Sequence, residues 1–153
     1  MKLSTLCYIS HEGRLLLLHR TKKQEDMHKG KWVGLGGKFE AGESPEDCVI
    51  REVYEESGLT IHNPQLRGIL TFPNDFNQED WYVFLFSATQ FEGELIQCDE
   101  GELRWVQQSD IDFLDMHEGD RYFLKWMKTH SGLFTAKFQY DKGTLIDYQL
   151  KVY

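Results

Sequence analysis

The chain has 153 residues, of which 41% are hydrophobic and 27% charged, which excludes a disordered or fibrous protein and fits one domain able to bury roughly two thirds of its unfolded surface. Its formal charge of -8 at pH 7 argues against broad binding to a nucleic acid polymer or an anionic membrane, since both reward clustered Lys and Arg; an anionic ligand would have to bring cations with it. Cys7, Cys48 and Cys98 are odd in number and lack CxxC spacing, and the longest purely apolar run covers only residues 81–86, so the expectation is a cytoplasmic chain without disulfides, structural zinc or a membrane span.

In chain order, residues 3–9 and 14–19 read as two strands joined by His11-Glu12-Gly13, a turn whose glycine accepts a positive φ. Residues 21–31 are polar and of mixed charge, as in a connection. The spacing predicts a helix over 45–57: Ser44 suits the N-cap, Pro45 the first helical position and Gly58 the site just past the end. Residues 66–72, 81–89 and 103–106 are apolar or aromatic enough for strands. A second helix is predicted over 120–129, where Tyr122, Phe123, Trp126 and Met127 recur at helical spacing. Strands over 134–140 and 144–152 flank Asp141-Lys142-Gly143. Without repeats, low-complexity tracts or linkers, residues 1–153 read as a single α+β domain.

The segment that carries chemistry is the glycine-bearing loop Gly36-Gly37-Lys38-Phe39-Glu40-Ala41-Gly42-Glu43, which leads directly into the first helix. On that helix Glu52, Glu55 and Glu56 stand at i, i+3 and i+4 and share an arc of roughly 100°. Val49, Ile50, Val53 and Tyr54 occupy the next arc, which sets Glu56 at the seam with the core. Most acidic runs on helices are solvated faces. Here, however, like charges at i and i+4 cost about 0.2 to 0.5 kcal/mol each, and acids near a helix C-terminus oppose the macrodipole by about 0.3 to 1 kcal/mol. Arg51 is the only local counter-charge among Glu43, Glu46, Asp47, Glu52, Glu55 and Glu56. A local rule broken in this way marks a functional site, and clustered oxygen ligands suit magnesium or manganese held together with phosphates.

Gly37, five residues, Glu43, seven residues, Arg51-Glu52-Val53, one residue, Glu55-Glu56, one residue and Gly58-Leu59 resemble the Nudix box in every defined position. The resemblance implies an α/β/α sandwich around a mixed sheet and hydrolysis of a nucleoside diphosphate linked to another moiety, with Mg2+ or Mn2+ as cofactor. It further implies that Glu52, Glu55, Glu56 and the Gly36 carbonyl are metal ligands, that Arg51 and Glu43 bridge loop to helix, and that Glu55 or Glu56 is the general base. A non-catalytic sensor domain of this family would tend to lose such carboxylates, and all are present.

Beyond the box the chain resembles the MutT branch, whose members remove oxidised purine nucleoside triphosphates such as 8-oxo-dGTP. By that resemblance Glu100 supplies a further carboxylate to the metals, although it reads equally as an exposed loop acid, and Lys23, Gly37 and Lys38 are candidate substrate contacts. Phe72, Trp81 and Asp120 are candidates for holding the base, by stacking and by an edge hydrogen bond. Their competing readings are core packing for the two aromatics and a helix N-cap for Asp120. Val33, His117 and Gly119 depart from the branch, which has asparagine, tryptophan and a second acid there; Glu118 is a candidate for the missing acid. The partner expected is a small-molecule nucleotide, and the chain is a monomer or a homodimer.

Overall fold

In the computed structural model, which describes residues 1–22, 28–74 and 78–153, the strands are β1 (Lys2–His11), β2 (Arg14–Arg20), β3 (Trp32–Val33), β4 (Thr60–His62), β5 (Gln65–Phe72), β6 (Trp81–Ala88), β7 (Gln90–Glu92), β8 (Gly101–Gln107), β9 (Phe134–Asp141) and β10 (Thr144–Val152). The helices are α1 (Pro45–Ser57) and α2 (Glu118–Thr129), with a 3-10 helix at Gln108–Phe113. The main sheet runs β10-β9-β5-β6-β1-β2-β3, and β8 also pairs with β2. It is mixed, because β1 lies parallel to β6 and β5 parallel to β9, whereas the remaining pairs are antiparallel. β4 and β7 form a separate ribbon.

Strand alternation divides the interior into two cores. Tyr8, Leu15 and Leu17 point to the face covered by α2, where they meet Phe123, Trp126, Phe134 and Phe138. Cys7, Ile9, Leu16 and Leu18 point to the opposite face and meet Val49 and Val53 of α1. Each helix thus buries one stripe against one face of the sheet, the arrangement that two-sided burial of a period-2 pattern requires. The result is the α/β/α sandwich with a mixed central sheet. No helix among the described residues is long and apolar enough to cross a membrane.

α1 starts and stops at the residues its local chemistry dictates. The Ser44 hydroxyl accepts from Asp47 N at 3.0 Å while the Asp47 carboxylate accepts from Ser44 N at 3.1 Å, a reciprocal capping box. At the other end Gly58 turns left-handed, φ 81°, and its amide donates to Tyr54 O. α2 starts earlier than residue 120. Its N-cap is His117, without a side-chain cap bond, so Asp120 is the third helical residue and not a cap. The apolar periodicity begins only at Tyr122, and the polar first turn left no trace in it. The strands β3, β4 and β7, of two or three residues, are too short to show alternation.

Gly58 is also sterically confined, since a Cβ there would lie 2.6 Å from the Glu94 carbonyl. Gly58→Ala combines that clash with a left-handed conformation that costs an L-residue about 1 to 2 kcal/mol. The expected result is a loss of at least about 1 kcal/mol in urea unfolding; an unchanged midpoint would show that the helix end does not constrain the fold.

Candidate active site

The loop before α1 is laid against β1 by main-chain bonds. Cys7 and Leu35 exchange bonds of 2.6 and 3.0 Å, Thr5 N donates to Gly37 O at 2.9 Å, and Phe39 N donates to Leu3 O at 3.2 Å. This approach leaves no room for side chains. A Cβ on Gly36 would sit 2.0 Å from Thr5 O, and one on Gly37 would sit 2.4 Å from the Glu52 carboxyl. At Gly36 glycine is a packing requirement of the contact between loop and strand, whereas at Gly37 a Cβ would displace the end of the Glu52 side chain.

Arg51 ties the loop to the helix. Its Nε and terminal nitrogen donate to both Glu43 oxygens at 2.7 and 2.9 Å, and it reaches Lys38 O at 3.0 Å, Glu52 at 2.8 Å and Glu55 at 3.2 Å. The bidentate pair, together with the Glu40 amide, holds the Glu43 carboxyl down at about 2. Glu55 is the exposed member of the stripe, and the Lys38 side chain is exposed as well. Burial pushes the Glu52 carboxyl up against the opposing pull of Arg51.

Glu56 is buried, 8% exposed, and its Oε1 accepts from Gly36 N at 2.8 Å. Burial first, and then its hydrogen bond with Glu100, push its carboxyl well above the usual range. Glu100 is thus no exposed loop acid. Its side chain is 24% exposed and pairs with Arg20 at 3.2 Å, and its main-chain oxygen accepts from Thr21 N and Lys22 N. Two carboxyls that crowd each other in this way call for a shared proton or a cation. The donors are all oxygen, as magnesium or manganese prefers. Among the described residues no three carboxylate, histidine or cysteine groups converge on one point, and Arg51 engages Glu52 and Glu55; a cation would have to draw those two away from it. The donor chemistry fits such an ion.

A second group of residues lies around the start of α2. Trp81 packs 5.6 Å from Phe72, which stacks on Phe138 at 5.5 Å and lies 6.3 Å from Tyr140. The Tyr140 hydroxyl accepts from Gly119 N at 2.7 Å. His117 Nε2 lies 2.7 Å from His28 Nδ1, and the His28 ring lies 5.9 Å from Trp81, which completes a ring of contacts. Phe72 and Trp81 are half-buried, neither fully core nor exposed, and the Trp81 indole donates to Ser4 Oγ at 2.6 Å. Asp120 is buried in this region, and burial raises its carboxyl to about 7 against the opposing charges of Arg121 and Lys31. The Tyr8 hydroxyl is buried near Gly34 without a hydrogen bond of normal geometry among the described residues. Its ionisation is opposed by burial and then by the charge of Asp120.

Tyr8, His28 and Tyr140 are absent from the sequence candidates. Tyr8 alone left a signal, as a hydroxyl inside an apolar strand. His28 and His117 are 89 residues apart, and nothing local links them. Glu118 is exposed, and Val33 packs into the core under α1. Lys23 lies outside the described residues. Two open surface clefts, one lined by Gln65, Arg67 and Lys128 and the other by Trp32, Arg104 and Asp110, share no residue with either group.

The family model described as NUDIX domain matches residues 2–127. A Bacillus subtilis protein named uncharacterized Nudix hydrolase YvcI is 37% identical over 151 residues, covering 95% of this chain and 92% of its own. The mouse oxidized purine nucleoside triphosphate hydrolase is 33% identical over 153 residues, covering 98% and 94%. A crystal structure titled as the mutator MutT protein of Bacillus halodurans superposes with a TM-score of 0.88 at 33% identity, over 99% of this chain and 98% of that one. Box, sandwich and relatives agree along nearly the whole length, and the chain belongs to the Nudix hydrolase family.

Proposed function

We propose that this hydrolase cleaves purine nucleoside triphosphates to the monophosphate and pyrophosphate, with an oxidised purine such as 8-oxo-dGTP as its preferred substrate. The observation that carries the reading is the meeting of Glu100 with the buried Glu56, 44 positions apart in the chain, in a carboxyl pair beside the glycine loop. Glu52, Glu55, Glu56 and Glu100, with the Gly36 carbonyl, would hold magnesium or manganese. When bound, such ions neutralise polyphosphate charge and activate water. The chain's own contribution is positional. Arg51 and Glu43 lock the loop to α1, the Gly36 amide orients Glu56, and Glu55 or Glu56 takes the proton from the attacking water. Lys23, Gly37 and Lys38 are assigned to the substrate.

The half-buried Phe72 and Trp81 rings, with Asp120 between the strands and α2, support assignment of the second group to the base. The likeness to the mouse oxidized purine nucleoside triphosphate hydrolase supports an oxidised purine. His117 and Gly119 favour a second reading, in which the same chemistry serves a different nucleoside triphosphate. A panel of triphosphates with magnesium, followed by identification of the leaving group, separates the two. Pyrophosphate with a strong preference for 8-oxo-dGTP supports the first, pyrophosphate with another preference supports the second, and orthophosphate alone overturns both.

Glu56→Gln keeps an oxygen for the Gly36 amide and removes the charge. Hydrolysis is expected to fall by at least about 100-fold, with weaker magnesium binding by calorimetry and an unfolding midpoint unchanged or raised, since carboxyl crowding is relieved. Near-normal turnover at saturating magnesium would remove Glu56 from the proposed machinery.

Asp120→Asn tests base selection. Preference for 8-oxo-dGTP over dGTP should drop at least about fivefold, because a mismatched buried polar contact costs about 1 to 3 kcal/mol. Poorly recognised triphosphates should be hydrolysed as before. A stability readout comes with it. The folded carboxyl titrates near 7 against an ordinary 3.8, so the folded state holds the proton through that window. Stability is therefore lost as pH rises from the lower value to the higher, and the ionised group costs most above it. The variant should gain more thermal stability at about pH 8 than at about pH 4. A preference left untouched would move the search for the base-reading group elsewhere.

A further inference from the structure

β10 ends the main sheet, and among the described residues only β9 pairs with it. Its register with β9 sets Asp147, Gln149 and Lys151 opposite Gln139, Lys137 and Thr135, and the ladder continues as Tyr153 N donates to Leu133 O at 2.9 Å. In an antiparallel ladder the bonded pairs alternate, so residues 147, 149 and 151 direct their main-chain bonds to β9. Tyr148 and Leu150 then direct theirs outward. Nine-residue open edges are normally blunted by charge, proline or a bulge. Here the one bulge lies near the start, between Leu145 and Asp147; the stretch beyond it is regular and has no proline, and its charges, Asp147 and Lys151, are of opposite sign. Apolar side chains remain exposed along this edge: Tyr148 at 42%, Val152 at 43% and Tyr153 at 66%.

We propose that this edge docks a second copy of the chain, antiparallel about a two-fold axis through Gln149, to give one continuous sheet across two molecules. Antiparallel self-pairing requires outward-bonding residues to face each other. With the axis at Gln149, Tyr148 faces Leu150 of the second copy, Leu150 faces Tyr148 of the second copy, and both pairs exchange main-chain bonds. The same register sets Asp147 opposite Lys151 of the second copy, twice by symmetry, at non-bonded positions where cross-strand side chains approach most closely. Shifting the register while keeping the bonding phase breaks this charge match. One strand edge is a small contact, so the association is weak and concentration-dependent.

Sedimentation velocity on the full chain, from about 10 μM to about 1 mM, spans the affinity range of such an interface. The wild type is expected to shift from monomer to dimer. Asp147→Lys sets Lys against Lys, and Lys151→Asp sets Asp against Asp. Each should raise the dissociation constant on the order of tenfold, because like charges directly opposite destabilise a pair and each pair occurs twice. The double exchange Asp147→Lys with Lys151→Asp restores opposite charges and should return the constant to within about threefold of wild type. That recovery distinguishes pairing from a mere loss of fold, as does an unchanged unfolding midpoint in the single variants. A wild type that stays monomeric throughout, a dimer that no substitution weakens, or a double variant no tighter than the singles would each overturn the proposal.

Discussion

A carboxylate buried beside another carboxylate is stable only with a proton or a cation between them, and the position of Glu56 imposes that condition on everything around it. Its place on α1 follows from helical geometry: Val49 and Val53 bury their stripe in the core, and Glu56 lies at the edge of that stripe. The Gly36 amide contributes one fixed hydrogen bond. Glu100 arrives from the segment before β8 with its charge directed to the same place, accompanied by Arg20. Arg51, the cation nearest in sequence, is engaged by Glu43, Glu52 and Glu55. Oxygen ligands gathered at one corner in this way are the condition under which an external cation binds most favourably.

That charge is held still by elements that other contacts build. The capping box starts α1, the left-handed Gly58 stops it, and the core packs its inner face. The loop contributes almost nothing but backbone at the point of contact, since Gly36 is too confined by the Thr5 carbonyl for a Cβ and the Glu52 carboxyl lies over Gly37. A carboxyl carried on a packed helix and oriented by a main-chain amide loses little freedom on engaging a ligand.

The legibility of this molecule in its sequence follows the range of the interactions. The limits of α1, the glycines of the loop and the acidic stripe are set by residues within a turn of each other, and all were visible at that range. The Glu43–Arg51 bridge spans eight positions and could be named only through the resemblance to the box. The start of α2 was misplaced by two residues because Glu118-Gly119-Asp120 carries no apolar periodicity. Tyr8, His28 and Tyr140 come together with Trp81, Phe72 and the start of α2 only after β1, β5, β6, β9 and α2 have assembled, and no local pattern encodes such a meeting. The cost of burying Asp120 was equally hidden, since a carboxyl near a helix start reads as a favourable charge until the helix is packed.

The two groups of residues therefore carry different constraints. The carboxylates belong to the loop, α1 and the segment before β8, and are joined by main-chain bonds and ion pairs of fixed geometry. The aromatic ring belongs to β5, β6, β9 and the start of α2, and is joined mainly by ring contacts, which tolerate change in shape and polarity. Substitutions in separate regions without shared partners act nearly independently. His117 and Gly119 alter the second region, while Glu52, Glu55, Glu56 and Glu100 remain in place in the first. On the proposed assignment, a fold arranged in this way can change the base it accepts without disturbing the handling of phosphate.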